Sequence, residues 1–528
     1  MKKMNKLLAL VLAMVMVLGL ATVASAATVT VPSDGILKDH SFTAYQIFSG
    51  REEGGVLSDV QWGSGIDSTA FLNALKADTT YGSLFTDCAD AAAVAKVLGD
   101  NNTNTALANA VAKLAYAKKT GNGTALTSGE NTLDDGYYLV VDTTANVGEG
   151  GAYNASLLQV VGAVNITEKT DAPTVEKKVL EDDKYNQDGG YGTGYNDVAD
   201  YNMGDAVPFH LIGSVPDMSR YDTYKYIFHD TLSAGLTPPA DSDVKVYLSA
   251  DKTLDTNDTE VTNSFETTVS NQTITVSCND LKTAVGTSGA KYVIVAYTAT
   301  LNQGAVVGLE GNPNVVYLEY SNKPDQSGSG DTDNTGHTPE DKVIVFTYEL
   351  DTTKVDGQDN TEKLEGAEFK LKNAAGKWAV VNGDFKVTGW AETEEAGSTL
   401  TSNTEGLFKV IGLDDGTYYL KETKAPAGYN LLADEITVVI TATTSNGQTW
   451  TDGNAATALT GLAVKADNVD GTGNTSTGIA GITVANNKGS TLPETGGIGT
   501  TIFYVLGGML VVCAVVLMVS KKRMSAEG

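Results

Sequence analysis

Hydrophobic and polar residues alternate with a period of two in short runs along most of the chain. From residue 173 onward these runs are rich in Thr, Val and Tyr and are separated by Gly, Asn and Asp. Side chains of a strand point alternately to opposite faces, so this pattern predicts half-buried strands joined by turns. Many short strands at this spacing are typical of β-sandwiches. The pattern therefore predicts a mostly β chain built of tandem sandwiches.

The segment before residue 173 has a mixed pattern. Strand-like runs, FTAYQIF and GYYLVVD, flank three segments whose Ala and Leu spacing suits short helices, namely DSTAFLNALKAD, DAAAVAKVLGD and TALANAVAKLAYAKK. A stretch rich in Gly, Ser and Asp separates two later strand-rich regions. We therefore expect an N-terminal domain with short helices over 27–172, a middle sandwich over 173–324, a linker over 325–342 and a C-terminal sandwich over 343–489.

The first 26 residues have the order of a secretory signal peptide. Three lysines precede an unbroken apolar run, which ends in the small-residue cleavage sequence ASA at residues 24–26. A retained transmembrane helix is the alternative, but the run is short and no charged anchor follows it. We therefore expect residues 1–26 to be removed and the mature chain to begin outside the membrane.

Residues 490–528 combine a short polar motif, an apolar run and a basic tail. The uncharged run from Ile502 to Val519 is just long enough to cross a membrane, and the basic residues after it place the preceding chain outside. The polar motif consists of Leu492, Pro493, Glu494, Thr495 and Gly496. An ordinary proline turn is the alternative interpretation, but the order of motif, apolar run and basic tail argues against it.

This motif resembles the sortase sorting signal of Gram-positive surface proteins. The resemblance implies that a sortase cysteine cleaves between Thr495 and Gly496 and transfers the threonyl carbonyl to an amine. The apolar run then anchors the chain in the membrane only until that transfer. We therefore expect a secreted, cell-wall-anchored protein whose mature chain ends at Thr495.

Composition excludes several classes of protein. The chain has 36 Lys and Arg against 65 Asp and Glu, a formal net charge of −29, which disfavours binding to nucleic acid. Three cysteines, one of them in the apolar C-terminal run, provide no disulfide framework. The four histidines lack metal-ligand spacing, and DTDNTGHTPEDK lacks the glutamate that ends an EF-hand loop. We therefore expect no metal, no cofactor and no enzymatic activity on external substrates.

Two predicted strands carry a lysine on a face that otherwise holds mostly apolar residues. In PTVEKKVLED, period-two alternation puts Lys177 on the face of Val175 and Val179. In VIVFTYELDTTKVD, one face holds Ile344, Phe346, Tyr348, Leu350, Thr352 and Lys354. A buried lysine loses solvation and tends toward the neutral, nucleophilic amine. The alternative is that each lysine extends along its apolar stem to the surface.

Each predicted sandwich also offers an acid and a strand-end asparagine. The acids are Asp230 in YKYIFHDTLSAGLT and Glu422 in YYLKETKAPAGY. The asparagines are Asn322 in VVYLEYSNKPD and Asn486 in GITVANNKGS. Burial raises the pKa of a carboxyl, and a protonated acid can polarise an amide carbonyl while a neutral lysine attacks and ammonia leaves. The sequence therefore predicts Lys–Asn isopeptide bonds.

Several of these stretches resemble one known family. YYLKETKAPAGY resembles the E-box of collagen-adhesin B-type domains. ADYNMGDAVPFHLIGSVPD, YDTYKYIFHDTLSAGLT and GNPNVVYLEYSNKPD resemble the middle domain of sortase-assembled Gram-positive backbone pilins, and HSFTAYQIFSG with WGSGID resembles their first domain. The resemblance implies tandem immunoglobulin-like, collagen-adhesin B-type sandwiches. It also implies two triads: Lys177, Asp230 and Asn322, and Lys354, Glu422 and Asn486.

The resemblance leaves two functions open. In the first, the chain is the shaft subunit of a covalent, wall-anchored pilus, and a sortase joins Thr495 of one subunit to a lysine of the next. Its partners are then sortases, other pilin subunits and peptidoglycan. In the second, the chain is a monomeric wall-anchored adhesin or minor pilin, and its first domain binds a ligand on the host surface.

An acceptor lysine near the end of the first domain would distinguish these two functions. Alignment with the backbone pilins assigns this role to Lys169 in VNITEKTDAPTV, although Thr167, Glu168 and Thr170 depart from the family pattern. We expect the neighbouring Glu168 to hold the Lys169 amine charged until a sortase base removes the proton. The position of Lys169 favours the shaft subunit.

Overall fold

The computed structural model describes residues 28–53, 56–160, 164–181, 188–325, 335–445, 448, 450, 453–489 and 498–524. Strands dominate these residues and form six sheets among them. The longer helices before the C-terminal segment all lie in the N-terminal unit. The prediction of a mostly β chain with short helices in the first unit is therefore confirmed. The predicted signal peptide and sorting motif lie outside the described residues.

The N-terminal unit contains two small sheets and four helices. Its strands are β1 (Thr28–Val31), β2 (Phe42–Glu53), β3 (Val56–Trp62), β4 (Thr124–Leu126), β5 (Gly129–Thr132), β6 (Gly136–Asp142), β7 (Leu157–Val160) and β8 (Val164–Asn165). Its helices are α1 (Ser68–Ala77), α2 (Gly82–Phe85), α3 (Ala91–Asp100) and α4 (Thr105–Lys118). The sheet orders are β5-β1-β8 and β3-β2-β6-β7, with β4 also pairing with β2.

Side-chain caps fix where the three longer helices of this unit begin. The side chains of Asp67, Asp90 and Asn104 accept hydrogen bonds from backbone N–H groups in the first turns of α1, α3 and α4. The apolar faces of these helices pack against the sheet that contains β2 and β6. The helices that the Ala and Leu spacing predicted are therefore present, and their apolar faces are the buried ones.

The middle unit is a sandwich of two seven-stranded sheets. Its elements are β9 (Val175–Leu180), β10 (Tyr195–Asn196), β11 (Val198–Asp200), β12 (Ala206–Ser214), β13 (Tyr226–Leu232), β14 (Leu236–Thr237), β15 (Lys245–Ser249), β16 (Thr259–Glu260), β17 (Glu266–Ser270), β18 (Thr273–Cys278), α5 (Leu281–Val285), β19 (Tyr292–Leu301), β20 (Asn312–Ser321), β21 (Thr335–His337) and β22 (Asp341–Phe346). One sheet has the order β10-β9-β12-β19-β15-β16, with β14 beside β19; the other has the order β11-β22-β20-β13-β18-β17, with β21 beside β20.

The C-terminal unit is a second sandwich. Its elements are β23 (Tyr348–Asp356), β24 (Glu368–Asn373), β25 (Trp378–Val381), β26 (Val387–Ala391), β27 (Leu400–Thr401), β28 (Leu407–Leu413), β29 (Gly416–Lys424), β30 (Ile436–Thr444), α6 (Ala455–Ala458), β31 (Leu459–Ala466), β32 (Val469–Asp470), β33 (Thr472–Asn474) and β34 (Ile479–Asn486). The sheets have the orders β28-β23-β34-β33 and β26-β25-β24-β29-β30-β31-β32, with β27 beside β24.

The predicted strand that runs through Ile344 and Lys354 is two strands in different sandwiches. β22 pairs with β20 of the middle unit, whereas β23 pairs with β28 and β34 of the C-terminal unit. The break falls at Thr347, whose hydroxyl donates to the carbonyl of Leu413 at 3.1 Å. All residues of 343–346 are buried, so period-two alternation does not apply there. The predicted boundary at residue 343 is therefore wrong, because β22 belongs to the middle sandwich.

The middle and C-terminal sandwiches share one continuous cluster of buried apolar residues, which extends from Val175 to Val484. Backbone bonds such as that from Met203 N to the Gly412 carbonyl, 2.9 Å, also join them. The N-terminal unit contacts the middle sandwich through polar groups. There the Arg220 guanidinium donates to Asp325 and to the Ser156 carbonyl. The two sandwiches are thus joined mainly by apolar packing, and the first unit by hydrogen bonds.

Candidate cross-linking sites

The C-terminal sandwich contains a buried lysine between its first and last strands. Strands β23 and β34 are parallel neighbours, and their register sets Lys354 opposite Val484 and Asp356 opposite Asn486. Alternation along both strands turns the Lys354 and Asn486 side chains inward, where neither is exposed to solvent. Glu422 projects toward them from β29 in the facing sheet and is 4 % exposed.

These three side chains contact one another directly. The Lys354 amine donates to Oδ1 of Asn486 and lies 3.3 Å from Oε1 of Glu422. Nδ2 of Asn486 donates to Oε1 and Oε2 of Glu422, at 2.9 and 3.0 Å. The acid therefore contacts both the amine and the amide nitrogen, and the amine contacts the amide itself.

The surroundings of this cluster favour a neutral amine and a fixed acid. Burial lowers the pKa of Lys354 to about 8, although the charge of Glu422 opposes this effect. The Phe369 ring lies 5.4 Å from the Lys354 amine. The backbone N–H of Leu432 donates to Oε2 of Glu422 at 2.9 Å, and Nδ2 of Asn486 also donates to the Asn430 carbonyl at 2.9 Å.

The middle sandwich contains a second buried lysine, and here the contacts cross between its two sheets. Lys177 lies on β9, where it pairs with Leu211 of β12. Asp230 lies on β13 of the facing sheet. Their side chains form an ion pair, and neither residue is exposed to solvent. The structure therefore brings together the predicted lysine and the predicted acid.

The predicted partner Asn322 does not reach this cluster. Asp230 pairs with Val316, and Asn322 is six residues further along the chain, which corresponds to about 20 Å in an extended strand. Asn322 instead meets the N-terminal unit, because its carbonyl accepts from the backbone N–H of Tyr153 at 2.9 Å. The assignment of Asn322 to this triad is therefore wrong.

Another asparagine, Asn314, lies close to Asp230 on the neighbouring strand. It pairs with Leu232, two residues beyond Asp230, and it is not exposed to solvent. Its Nδ2 donates to the Tyr297 hydroxyl at 2.7 Å, and the Lys177 amine donates to the same hydroxyl at 3.3 Å. The two nitrogens are therefore at most 6.0 Å apart (3.3 Å plus 2.7 Å).

Tyr297 is the second residue that the sequence did not reveal. It lies on β19, and its hydroxyl donates to Oδ2 of Asp230. Its ring stacks on Phe209 with 5.4 Å between the ring centroids. Burial lowers the pKa of Lys177 to about 8 and raises the pKa of Asp230, although the attraction between the two charges opposes both shifts.

Lys169 has a fixed backbone and an exposed side chain. Its N–H donates to Oδ1 of Asn154 at 2.6 Å, and its carbonyl accepts from the N–H of Ala155 at 3.2 Å. The amine is therefore presented to solvent from an ordered position between the first and second units. The expectation that Glu168 holds the amine of Lys169 charged stays a prediction.

One buried acidic group lies where the two sandwiches meet. It comprises Asp200, Asp414 and Asp415, whose nearest carboxylate oxygens lie within 4.8 Å of one another. Each of these residues also has partners in the protein; Asp415, for example, accepts from the N–H of Ala442 at 3.0 Å. The group has the donor chemistry of a cation site, but each of its three residues already interacts with other groups of the protein.

The C-terminal helix α7 spans Ile498–Met524 and directly follows the sorting motif. Its segment Thr501–Arg523 is long and apolar enough to cross a membrane, and none of it is buried in the protein. Lys521, Lys522 and Arg523 lie in its last turn.

Three protein-family profiles match the chain. Residues 203–324 match the Gram-positive pilin backbone subunit 2, Cna-B-like domain; residues 348–454 match the SpaA prealbumin-like fold domain; and residues 484–525 match the LPXTG cell wall anchor motif. The anchor motif and the apolar helix together make the chain a cell-wall-anchored surface protein of Gram-positive type.

A curated relative agrees with these matches. The trypsin-resistant surface T6 protein of Streptococcus pyogenes serotype M6 is 28% identical over 277 residues, which cover 43% of this chain and 48% of that protein. The match thus spans about half the length of that relative.

The T6 backbone pilin structure of serotype M6 S. pyogenes, described as a modular three-domain structure, is 17% identical and covers 88% of this chain and 98% of that one, with a TM-score of 0.50. The full-length major pilin SpaD from Corynebacterium diphtheriae is 14% identical with the same coverage and a TM-score of 0.46. At such identities the likeness concerns the fold alone. The family profiles and the sequence relative point the same way: the chain has the domain set of a Gram-positive backbone pilin, namely a pilin-backbone domain, a prealbumin-like domain and an LPXTG cell-wall anchor motif.

Proposed function

We propose that this chain is the structural backbone subunit of a covalently polymerised, cell-wall-anchored pilus. A sortase cleaves each subunit between Thr495 and Gly496 and joins the Thr495 carbonyl to a lysine of the next subunit. The observation that carries this proposal is that a pilin-backbone domain over 203–324 and a wall-anchor motif over 484–525 occur in one chain.

The acceptor in this proposal is Lys169. An acceptor must present its amine in one geometry to every incoming acyl group, and it must be open to a sortase. Both backbone hydrogen bonds of Lys169 support the first requirement, and its exposed side chain supports the second.

The C-terminal cluster is arranged for a self-catalysed amide exchange. The neutral Lys354 amine attacks Cγ of Asn486, the Nζ–Cγ bond forms and the Cγ–Nδ2 bond breaks. The departing nitrogen leaves as ammonia after it gains one proton, and the lysine nitrogen loses one. Glu422 contacts both nitrogens, so it can donate the first proton and accept the second.

We propose the same net reaction in the middle sandwich between Lys177 and Asn314, with Asp230 as the acid. Asn314 takes the role that the sequence assigned to Asn322. The product is again one Lys–Asn amide and one ammonia. This bond would join the two sheets of the middle sandwich, whereas the bond in the C-terminal sandwich would join neighbouring strands of one sheet.

These two bonds suit a subunit that carries tension between Lys169 and Thr495. The shortest covalent path runs along the chain to Lys177, crosses to Asn314, continues to Lys354, crosses to Asn486 and ends at the sorting motif. Residues 178–313 and 355–485 then lie in closed loops outside this path. Force applied at the two ends therefore cannot extend these loops without breaking a covalent bond.

Wall extracts of cells that carry the cognate sortases test the polymer. We expect the unmodified chain to give a ladder of SDS-resistant multimers. Lys169→Ala should abolish the ladder and leave wall-linked monomer, whereas Thr495→Ala should abolish both. Lys38→Ala is the matched control, because Lys38 is another exposed lysine of the N-terminal unit; its ladder should be unchanged.

Two outcomes would contradict the proposal. A single wall-linked band from the unmodified chain would favour the monomeric adhesin or minor pilin, whose first domain binds a host ligand. A persistent ladder in Lys169→Ala would keep the shaft function but move the acceptor to another lysine. Lys184, which lies outside the described residues, would then be the next candidate.

A further inference from the structure

The two cross-linking clusters differ in how the acid contacts the asparagine nitrogen that must leave as ammonia. In the C-terminal sandwich, Glu422 bonds Nδ2 of Asn486 directly, at 2.9 and 3.0 Å. In the middle sandwich, Nδ2 of Asn314 bonds the Tyr297 hydroxyl at 2.7 Å, and that hydroxyl in turn donates to Asp230. Among the described residues no hydrogen bond joins Asn314 to Asp230 itself.

The side chains explain this difference. Aspartate is one methylene shorter than glutamate, so an aspartate on β13 has less reach toward the neighbouring strand. The hydroxyl of Tyr297 lies between the acid and the amide and contacts both. It also contacts the attacking nitrogen, because the Lys177 amine donates to it at 3.3 Å.

We propose that Tyr297 is a catalytic residue of the middle-sandwich cross-link and relays a proton from Asp230 to the departing nitrogen of Asn314. This inference rests on the proposed isopeptide chemistry and adds a residue that the C-terminal site does not use. Tyr297 is suited to the role because it touches all three reacting groups from a fixed ring.

The steps balance as follows. The neutral amine of Lys177 attacks Cγ of Asn314, and the Nζ–Cγ bond forms. In this state Asp230 is protonated on Oδ2 and donates to the Tyr297 hydroxyl, which reverses the hydrogen bond of the resting structure. As the Cγ–Nδ2 bond breaks, the Tyr297 hydroxyl gives its proton to Nδ2 and takes the proton held on Oδ2 of Asp230. The resulting carboxylate then removes the extra proton from Nζ through Oδ1, which is the oxygen in contact with that nitrogen. Ammonia leaves, and Tyr297 and Asp230 end in their starting protonation states.

Burial of Tyr297 is consistent with a proton relay. The phenol is 4 % exposed, and burial together with the charge of Asp230 raises its pKa well above the ordinary value. The hydroxyl therefore keeps its proton and passes it on only as it receives another. A phenolate, which could not donate to the leaving nitrogen, is disfavoured.

The test is intact-mass and cross-linked-peptide mass spectrometry of the full chain. The unmodified chain should lack about 34 Da, which is two ammonia molecules, relative to its sequence. Tyr297→Phe keeps the buried ring but removes the hydroxyl, and loss of one general acid slows proton transfer by about 100-fold or more. We therefore expect this variant to lack only about 17 Da, with the remaining bond mapped to Lys354 and Asn486.

Two further variants make the test decisive. Tyr226→Phe removes another buried hydroxyl of the same sandwich, one that donates to the Ser214 carbonyl at 2.8 Å, and it should keep both bonds. Adding Asp230→Glu to Tyr297→Phe should restore the middle bond, because the longer acid can reach Asn314 directly from the neighbouring strand.

The outcomes separate this inference from the proposed function. If Tyr297→Phe formed both isopeptide bonds at the rate of the unmodified chain, the proton relay through Tyr297 would be wrong. The isopeptide chemistry itself would still stand. If the folded double variant still lacked the middle bond, the explanation that Asp230 is too short to contact Asn314 directly would be wrong. Absence of the middle bond in the unmodified chain would instead refute the proposed function at that site.

Discussion

Replacement of Glu422 with glutamine should leave Lys354 and Asn486 unjoined. Glutamine has nearly the shape of glutamate and fills the same buried space, so the change adds no cavity. It removes the only carboxyl that contacts both reacting nitrogens among the described residues of the cluster. The middle-sandwich cross-link should still form.

The size of the stability loss follows from the loop that the bond closes. Lys354 and Asn486 are 132 residues apart in sequence. By analogy with a disulfide, a cross-link of this span removes denatured-state entropy worth about 5 kcal/mol of unfolding free energy. The unfolding entropy is about 2.1 cal/mol/K per residue.

The continuous core decides how this loss appears in a melting curve. Because the two sandwiches share one cluster of buried apolar residues, we expect them to unfold together. When roughly 310 residues unfold together, dividing the loss of unfolding free energy by their total unfolding entropy gives a fall in melting temperature of about 8 °C. If the C-terminal sandwich melted alone, about 140 residues would share the loss, and the fall would be about 17 °C.

Differential scanning calorimetry of the full chain, with intact-mass measurement of the same sample, is the appropriate assay. Lys354→Met is the matched control, because it also prevents the bond but leaves no buried amine. The loss common to both variants measures the loop closure, and any extra loss in Glu422→Gln measures the cost of the unjoined lysine.

One result would refute this reasoning. If Glu422→Gln retained the full mass loss of about 34 Da, Glu422 would not be the acid that promotes the bond. A melting temperature within about 2 °C of the unmodified chain, with the bond shown to be absent, would refute the loop-closure estimate instead.

Two other predictions concern the asparagines and the lysine pKa. Asn314→Ala should weigh only about 17 Da, one ammonia, less than its own sequence, whereas the control Asn322→Ala should weigh about 34 Da less; the opposite pattern by mass spectrometry would restore Asn322 to the triad. In Asn486→Ala, Lys354 stays a free amine whose pKa is lowered to about 8 from an ordinary 10.5. The unfolded chain then binds more protons between these two pH values, so the unfolding free energy should rise with pH across that window. The unmodified chain, in which this nitrogen is an amide, should lack that rise in denaturant titrations; equal slopes for the two proteins would contradict the proposed bond.

The sequence by itself determined the local features of this chain. Period-two alternation predicted the strands, and Ala and Leu spacing predicted the helices of the first unit. The same alternation placed Lys354 on a mostly apolar face, and the strand-end position predicted Asn486 as its partner with Glu422 as the acid. The structure brings these three side chains into contact. Each of these features depends on the order of neighbouring residues, which is visible in the sequence.

Only the tertiary structure decided which asparagine meets Lys177. Alternation puts Asn312, Asn314 and Asn322 on the same face of one strand or its extension, so the pattern alone cannot choose among them. The choice depends on the register between β20 and β13, which sets Asn314 beside Asp230. Tyr297 comes from a third strand, β19, in the facing sheet. Register and sheet packing join residues far apart in sequence, and no local period records which of them will meet across a core.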